Sequence, residues 1–389
     1  MDKVRFGIIG VGNQGSTYIL NLFDKGKIEN GEITALCDCN PAKLENIKQK
    51  IANQQVAYFL DYRELLDGGV CDAVIVAVPH YQHTEIVIEC LKRNIHVICE
   101  KPAGVYARQV REMNAVAEKS SALFAMMFNQ RTNCLYKEMR KIVQEGGIGE
   151  LQRVTWIITD WFRTQYYYDA GSWRATWSGE GGGVLINQCP HQLDLIQWVV
   201  GKTPVSVNGF CKYGKWHNIE VEDEVTAYFE YENGATGVFI TTTGETPGTN
   251  RFEISGTKGK LVCENGKLWH YVNEMDSAEY STTVKNAFKS PVYTQSEVVT
   301  DGDNPQHSGI INNFANAILG KEALFVDGKE GIYGVELMNA IEYSGWMKGE
   351  KVSVPVDEAR YIEELEKRCG QSTAKVVDDS IVIDTEGSY

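Results

Sequence analysis

Three glycines near the amino terminus constrain the fold more than any other feature of the sequence. Gly10, Gly12 and Gly15 follow a short apolar run, 4–9, and precede a helix-like stretch, 15–24. At such a turn the first N–H groups of the helix face a ligand, and the missing side chains let a pyrophosphate approach the backbone. The spacing alone is weak evidence, but its place between a strand and a helix predicts a dinucleotide-binding βαβ unit.

A carboxylate at the end of the second predicted strand supports this interpretation. Asp38 follows the strand 32–37, about 20 residues after the glycines, where a carboxylate accepts hydrogen bonds from ribose hydroxyls. It would also repel a 2′-phosphate, and no arginine follows it immediately, so we expect NAD in preference to NADP. The other predicted cofactor contacts are Gly10, Gly12, Asn13, Gln14, Pro79, His80, His83, Glu100, Lys101, Asn129, Trp173 and Arg174.

A lysine follows a later apolar strand of the same region. Glu100, Lys101 and Pro102 close the run 95–99. Because the carboxyl ends of parallel strands form the ligand-binding edge of such sheets, Lys101 is predicted beside the nicotinamide, where an ammonium can hold and polarise a substrate oxygen. A cis peptide bond before Pro102 would aim Lys101 inward. This combination indicates a dehydrogenase.

The pattern of strands and helices changes after the first third of the chain. Alternating strands and helices predict an α/β fold that begins with a doubly wound parallel sheet, and later strands without intervening helices predict a large, mainly antiparallel sheet. The predicted domains are 1–130 and 131–355, followed by an acidic tail, 356–389. The predicted strands are 4–9, 32–37, 73–78, 95–99, 123–127, 151–159, 204–213, 225–231, 236–243, 251–255 and 260–264. The predicted helices are 84–93, 107–119, 134–145, 187–200, 307–319 and 331–348.

Composition excludes several classes of partner. The net charge is −14 and no basic cluster stands out, which argues against nucleic acid or an anionic membrane. The ten cysteines are scattered through predicted strands and helices, as expected for reduced core residues rather than a disulfide framework or a metal site. No signal peptide and no apolar run of membrane-spanning length is evident. We therefore expect a cytoplasmic protein with a small neutral polar substrate and no metal.

A glycine-rich stretch in the second half precedes two polar side chains at helical spacing. The triple glycine 181–183 permits a close approach, and His191 and Asp194 then share one face of the predicted helix 187–200. A lone histidine on a helix is usually structural, but a carboxylate three residues later can orient its ring. We therefore interpret His191 as a candidate base that Asp194 positions.

Together these motifs resemble the Gfo/Idh/MocA family over essentially the whole chain. They are the amino-terminal glycines, Glu100-Lys101-Pro102, Trp173-Arg174 before the triple glycine, the motif 191–194, and Asp327-Gly328 before a late helix. The resemblance implies a Rossmann domain joined to an α/β domain whose open sheet mediates homodimers or homotetramers. It also implies hydride transfer at a sugar, glycoside or cyclitol hydroxyl, with Lys101 and His191 facing the reacting carbon.

One position departs from the common family pattern. Asn187 stands where many relatives carry an aspartate, so it can hydrogen-bond the substrate but cannot take a proton, which leaves His191 or Lys101 as the base. Asn187-Gln188, the segment 173–177 and Glu180 resemble the branch that contains levoglucosan dehydrogenase and enzymes oxidising glycosides at C3. The resemblance thus implies NAD-dependent oxidation of a secondary ring hydroxyl, at C3, of a pyranoside, anhydrosugar or cyclitol.

Further side chains have functional and structural interpretations of similar weight. Trp161 and Tyr167, within an aromatic segment, form either a platform for the apolar face of a sugar or a packed loop or subunit contact. Arg174 binds substrate or cofactor phosphate, or forms an ion pair. Asn129 and Arg131 contact the nicotinamide ribose or stabilise the domain junction. The predicted substrate contacts are Asn187, Asp194, Trp161, Tyr167, Arg174 and His307, and His307 has a helix cap as its alternative.

Three other functions stay open on the sequence alone. A keto-sugar reductase would run the reaction in the opposite direction, and an enzyme that retains its cofactor would oxidise one sugar and reduce another in turn. A sensor would bind NAD without chemistry. The presence of both Lys101 and His191 argues against the sensor.

Overall fold

A six-stranded parallel sheet forms the amino-terminal part of the computed structural model, which describes residues 3–53, 55–373 and 375. Its strands are β1 Val4–Ile9, β2 Gly31–Cys37, β3 Ala57–Phe59, β4 Ala73–Val76, β5 His96–Cys99 and β6 Phe124–Met126. They lie in the order β3-β2-β1-β4-β5-β6. This is the doubly wound order, in which successive strands are added first on one side of β1 and then, from β4 onwards, on its other side. Every residue of β4 is buried because helices cover both faces of such a sheet.

A nine-stranded mixed sheet forms the second part. Its strands are β7 Leu151–Ile158, β8 Ser206–Tyr213, β9 Glu222–Glu230, β10 Thr236–Thr242, β11 Asn250–Gly256, β12 Gly259–Glu264, β13 Lys267–Asn273, β14 Tyr293–Glu297 and β15 Val352–Ser353. The order is β14-β13-β12-β11-β7-β10-β9-β8-β15, and only β7 and β10 pair in parallel within the described residues. This confirms the predicted fold class, an α/β chain with a doubly wound parallel sheet and a mainly antiparallel one.

Thirteen α-helices in the described residues connect and cover the sheets. They are α1 Asn13–Thr17, α2 Pro41–Lys50, α3 Tyr62–Asp67, α4 His83–Lys92, α5 Ala107–Ala117, α6 Cys134–Gln144, α7 Gln165–Asp169, α8 Val184–Asn187, α9 Pro190–Val200, α10 Ser277–Thr283, α11 Gln306–Ile318, α12 Gly331–Trp346 and α13 Glu358–Cys369. Side chains of Asn40, Asn133 and Asp357 accept hydrogen bonds from N–H groups at the starts of α2, α6 and α13. None of the helices in this described part has the length and apolar character needed to cross a bilayer.

The core of the second part lies between its sheet and two helices. α9 and α12 pack against each other, and α12 packs on β8. Trp156 of β7 stacks on Phe252 of β11 with ring centroids 4.1 Å apart, and both side chains are buried. The opposite face of the sheet exposes Phe210 and Tyr228. One face of this sheet is therefore packed, and the other carries large apolar side chains at the surface.

Three predicted elements differ from the structure. The helix expected at 15–24 is the short α1 followed by a π-helical turn, Tyr18–Phe23. The helix expected at 187–200 divides into α8 and α9, because Pro190 has no N–H and begins a new helix. The tail expected from 356 contains α13, which buries Tyr361 and Leu365, while 376–389 lie outside the described residues.

Candidate active site

Two glycines of the turn after β1 are required because a side chain there would collide with the backbone, and the third leaves space for a ligand. A side chain at Gly10, whose φ is +92°, would collide with the carbonyl oxygen of Ala77, and one at Gly15 would collide with the carbonyl oxygen of Gly10. At Gly12, at the start of α1, no atom of the described residues lies within 4 Å of the position of a Cβ. An open cradle at a helix amino terminus suits a pyrophosphate, so these residues fit an NAD cofactor.

Asp38 is fixed beside this turn at the carboxyl end of β2. Its Oδ2 accepts a hydrogen bond from the backbone N–H of Val11 at 3.0 Å, and its Oδ1 accepts one from that of Asn40 at 2.9 Å. The carboxylate is thus tied to the glycine turn itself. This position matches the one from which a carboxylate reaches the ribose of a dinucleotide.

Replacing Gly12 with alanine is expected to raise the Kd for NADH by about tenfold or more, since the added methyl group would occupy the pyrophosphate cradle. The melting temperature should stay close to that of the unmodified protein. The matched variant Gly15→Ala should instead lower the melting temperature, because its Cβ collides with the backbone. Fluorescence titration with NADH and thermal unfolding of both variants check the pair, and equal effects on folding would contradict the distinction.

Lys101 lies at the carboxyl end of β5 and points into the second part of the protein. The peptide bond between Lys101 and Pro102 is cis, and Nζ of Lys101 donates a hydrogen bond to the carbonyl oxygen of Asn187 at 2.8 Å. The neighbouring Glu100 is buried and accepts hydrogen bonds from the Tyr18 hydroxyl and the Lys101 N–H. Burial raises the pKa of Glu100 to about 7 and lowers the pKa of Lys101, which the Glu100 charge in turn raises.

Asn187 is the centre of a hydrogen-bonded cluster at the end of α8. Its Nδ2 donates to Glu180, and its Oδ1 accepts from the hydroxyl of Tyr167 at 3.2 Å and from Nε2 of Gln188 at 3.3 Å. Nη1 of Arg174 donates to the same Tyr167 hydroxyl at 2.8 Å. The predicted contacts Asn187, Tyr167 and Arg174 therefore lie together, and the cluster is linked to Lys101 by the hydrogen bond between its ammonium and the Asn187 carbonyl oxygen.

His191 lies in the first turn of α9, close to the same lysine. Its ring meets that of Phe128 edge-on at 6.4 Å, and its Nδ1 is buried with no hydrogen-bond partner in the described part of the chain. Burial lowers the pKa of His191 well below 6.5, and the charges of Lys101 and His307 lower it further. The imidazole is therefore neutral near pH 7 and can accept a proton.

His307, from the start of α11, connects this region with the glycine turn. Its Nε2 lies 3.5 Å from Nε2 of Gln14, and its ring lies 5.5 Å from that of Tyr18. Burial and the charge of Lys101 lower the pKa of His307 to about 4. Beside it, the amide of Asn129 donates to Oε1 of Gln306. The structure thus brings Gln14, Asn129 and His307 to the same end of the sheet as Lys101.

Asp194 has a different partner from the one predicted. Arg131 donates to both of its oxygens, at 2.8 and 2.6 Å, and donates also to Glu330. The side chains of Arg131 and Asp194 are 2% and 3% exposed. The prediction that Asp194 orients the ring of His191 is therefore wrong, because Arg131 occupies its carboxylate. Arg131 thus connects the segment after β6 with Asp194 of α9 and with Glu330.

Two histidines after β4 are held by backbone carbonyl groups. The ring nitrogens of His83 lie 2.7 Å from the carbonyl oxygen of Pro102 and 2.8 Å from that of Val78. Nδ1 of His80 lies 3.1 Å from the carbonyl oxygen of Glu180, and its ring meets that of Trp173 edge-on at 5.4 Å. His83 is thus engaged in holding the loop after Lys101. Cofactor contacts by Pro79, His80 and Trp173 stay predictions.

The aromatic residues after β7 have different surroundings, and only some of them lie at the site. The guanidinium of Arg163 lies 5.5 Å from the ring of Trp161 and 5.3 Å from that of Tyr167, so these two predicted sugar contacts are linked through it. Tyr166 is exposed, whereas Tyr168 is buried and donates to Thr243 at 2.8 Å. Tyr167 alone of the three tyrosines joins the cluster of Asn187.

Sequence reasoning did not select Glu180 as a site residue. Its side chain is 2% exposed, accepts from Asn187, and also accepts from the Ala175 N–H at 2.5 Å. The available signal was its place immediately before the triple glycine. Tyr18, which binds Glu100, was also missed, because nothing in the helix-like stretch 15–24 distinguishes that hydroxyl.

The arrangement combines groups suited to reaction at an alcohol. An ammonium, a neutral imidazole and an amide lie in one region, which His307 and Gln14 connect with the turn that fits a dinucleotide. The ammonium can stabilise developing negative charge on an oxygen, and the imidazole can accept the proton from that oxygen. Such a set fits removal of a hydride and a proton from a carbon-bound hydroxyl.

Comparison with protein families agrees with this geometry. Residues 4–128 match the model of an oxidoreductase family with an NAD-binding Rossmann fold. Residues 136–262 match that of the GFO/IDH/MocA C-terminal domain. The two matches together cover both sheets in large part.

Individual relatives carry names of dehydrogenases. The chain is 25% identical to myo-inositol 2-dehydrogenase of Thermotoga maritima over 67% of this chain and 75% of that one. It is 26% identical to levoglucosan dehydrogenase of Pseudarthrobacter phenanthrenivorans, over 52% and 57% of the two chains. The WlbA dehydrogenase of Chromobacterium violaceum, solved with NADH and UDP-GlcNAcA, superposes with a TM-score of 0.77 at 26% identity, covering 92% of this chain and 97% of that one. The chain therefore belongs to the Gfo/Idh/MocA family of NAD-binding oxidoreductases.

Proposed function

We propose that this enzyme oxidises a secondary ring hydroxyl, at C3, of a pyranoside, anhydrosugar or cyclitol to the ketone. The observation that carries the proposal is that Lys101 donates a hydrogen bond to the carbonyl oxygen of Asn187 and acts by its charge on the buried, neutral His191. The charge of Lys101 also acts on His307, which lies 3.5 Å from Gln14 beside the glycine turn. Support also comes from relatives named for a cyclitol and an anhydrosugar. Bound NAD supplies the nicotinamide carbon that accepts the hydride.

The two catalytic side chains have distinct tasks. Lys101 donates a hydrogen bond to the reacting hydroxyl and stabilises the negative charge that develops on its oxygen. His191, which is neutral because burial lowers its pKa, takes the hydroxyl proton. The products are a ring ketone, a proton held on His191 and the reduced cofactor.

Neighbouring polar groups orient the ring. After its bonds to Glu180, Tyr167 and Gln188, Asn187 keeps one amide N–H for the substrate. We expect Arg174, Tyr167 and His307 to contact other hydroxyls, and Trp161 to offer an aromatic face to the apolar side of a pyranose. A neutral sugar suits this mainly uncharged set.

The exposed face of the second sheet is proposed as the oligomer interface. Phe210 and Tyr228, 52% and 36% exposed, lie on the face opposite α12. Burial of such side chains against a second copy would remove apolar area from water. Light scattering is expected to give a dimer or tetramer in solution, and a monomer at micromolar concentration would contradict this assignment.

The pH dependence of kcat/KM for sugar oxidation is expected to be bell-shaped. Activity should fall on the acid side below pH 6.5, as His191 becomes protonated, because burial lowers its pKa from that value. It should fall on the alkaline side below pH 10.5, as Lys101 loses its proton, because burial also lowers its pKa. Initial rates from pH 4 to 11 check this, and activity that still rises beyond pH 10.5 would contradict a charged Lys101.

The direct test is absorbance at the reduced-nicotinamide band. Purified protein is mixed with NAD or NADP and a panel of glucosides, anhydrosugars, inositols and free aldoses. Reduction of NAD by one class of ring supports the proposal and identifies the substrate class. Oxidation of added NADH by keto sugars alone would assign a reductase, and nicotinamide released only on denaturation would assign a retained cofactor. Binding of NAD with no reaction in any mixture would contradict the enzyme.

A further inference from the structure

A buried carboxylate behind Asn187 has no task in the mechanism above. Glu180 directly precedes the triple glycine, and its two oxygens accept hydrogen bonds from Nδ2 of Asn187 and from the Ala175 N–H. Burial raises the pKa of Glu180, and the charges of Arg174 and Lys101 lower it. Burying a carboxylate in this way is costly unless its charge and its hydrogen bonds are used.

The hydrogen bonds of Asn187 fix the orientation of its amide. Nδ2 faces the carboxylate of Glu180, while Oδ1 faces two donors, the Tyr167 hydroxyl and Nε2 of Gln188. A flipped amide would place oxygen against oxygen at Glu180 and nitrogen against a donor at Gln188. Glu180 thus determines that an N–H, and not a carbonyl oxygen, remains free for the substrate.

Positions 180 and 187 can hold only one negative charge between them. An aspartate at 187 would place its carboxylate against that of Glu180, and two like charges in a buried site suppress each other's ionisation. With an amide at 187, the single charge lies on Glu180. The amide and the carboxylate are therefore a matched pair.

Glu180 and the ammonium of Lys101 both bind Asn187, Glu180 at its side-chain amide and Lys101 at its carbonyl oxygen. The groups whose charge acts on Lys101 are Glu100, Arg174, Glu180 and Cys189. The histidines on which Lys101 acts are His80, His83, His191 and His307. Burial raises the pKa of both carboxyl groups, that of Glu100 to about 7, and both raise the pKa of Lys101, Glu100 more strongly. Glu180 differs from Glu100 in that it also holds Asn187, whose carbonyl oxygen accepts the hydrogen bond of the Lys101 ammonium.

We propose that Glu180 is a positioning residue that orients the Asn187 amide and carries, in place of residue 187, a negative charge beside Asn187, whose carbonyl oxygen binds Lys101. The inference rests on the proposed function for the reaction that it assists. The charge arrangement itself is independent of which sugar binds.

Charge relocation tests the proposal. Glu180→Gln removes the charge, Asn187→Asp adds a second one, and the double variant moves the single charge to 187. Each single variant should lower kcat/KM by about tenfold or more, and the double variant should recover most of the loss, as expected for two residues in contact. In Glu180→Gln the alkaline limb of the pH profile should move to lower pH, and in the double variant it should return.

A second readout does not depend on turnover. The pH dependence of Lys101 acetylation by acetic anhydride, located by mass spectrometry, measures the pKa of its ammonium directly. This pKa should fall in Glu180→Gln and return in the double variant. The control Glu89→Gln removes a carboxylate that pairs with Lys92 and Arg93 on α4, and it should change neither the acetylation profile nor kcat/KM.

The outcomes separate this inference from the proposed function. Loss of activity in Glu180→Gln with an unchanged Lys101 titration, or a double variant no better than the single ones, would overturn the positioning role. If the unmodified enzyme oxidises no sugar, the proposed function fails, and the acetylation profiles still decide the inference. Thermal unfolding identifies any variant that does not fold. If Glu180→Gln does not fold, the acetylation profile of the double variant, whose net charge is unchanged, decides the inference.

Discussion

Replacing Lys101 with alanine is expected to lower kcat for ring-hydroxyl oxidation by about 10²–10⁴-fold, the usual contribution of a positioned proton or charge donor. The ammonium is the group that meets the developing alkoxide, and a methyl group offers neither charge nor donor. NAD affinity should be nearly unchanged, because the glycine turn and Asp38 do not depend on Lys101. Initial rates and NADH titration measure the two quantities.

A lysine outside the site provides the matched control for this variant. Lys92 is exposed on α4 and pairs with Glu89. Lys92→Ala should leave kcat unchanged, since it removes an equal charge at the surface. Normal turnover in Lys101→Ala would contradict the catalytic assignment, and an equal loss of NADH binding would move Lys101 to a cofactor role.

Replacing Arg131 with alanine is expected to lower the free energy of unfolding by about 3–5 kcal/mol, the usual cost of breaking a buried ion pair. The variant leaves the carboxylate of Asp194, 3% exposed, without its two donors. Glu330, the second partner, is 39% exposed and can be hydrated instead. Denaturant unfolding monitored by circular dichroism measures the change.

A double variant shows whether the loss comes from the unpaired charge. Arg131→Met with Asp194→Leu replaces the pair with apolar side chains of similar size, which often restores most of the stability. We expect the double variant to be clearly more stable than Arg131→Ala. A loss below about 1 kcal/mol in the single variant, as for surface pairs, would contradict the burial of this contact.

Local patterns were sufficient for most of the fold. The run 4–9 is β1 to the residue, because a parallel strand buried on both faces appears as a continuous apolar segment. The predicted strands 73–78 and 95–99 contain β4 and β5, which are two residues and one residue shorter. β14 was missed because all five of its residues are exposed and show no apolar alternation. Such an edge strand is defined by its pairing with β13, and the periodicity of the sequence carries no information about that pairing.

The site was predictable to the extent that its residues follow strand ends. Lys101 and the glycine turn lie at strand ends, so topology alone brings them together. The spacing of His191 and Asp194 suggested a pair, but the structure directs Asp194 to Arg131, 63 residues away along the chain. Glu180 reaches Asn187 through the folding of an irregular loop. Contacts of this kind depend on tertiary packing rather than on local spacing.

The central claim is hydride transfer from a ring carbon of a sugar to NAD. The most direct measurement uses a pyranoside that is deuterated only at C3, incubated with enzyme and NAD, followed by mass spectrometry of the cofactor. We expect NADH that carries one deuterium and a sugar oxidised at C3. NADH without deuterium would contradict oxidation at C3, and no NADH from any sugar would contradict the proposed activity as a whole.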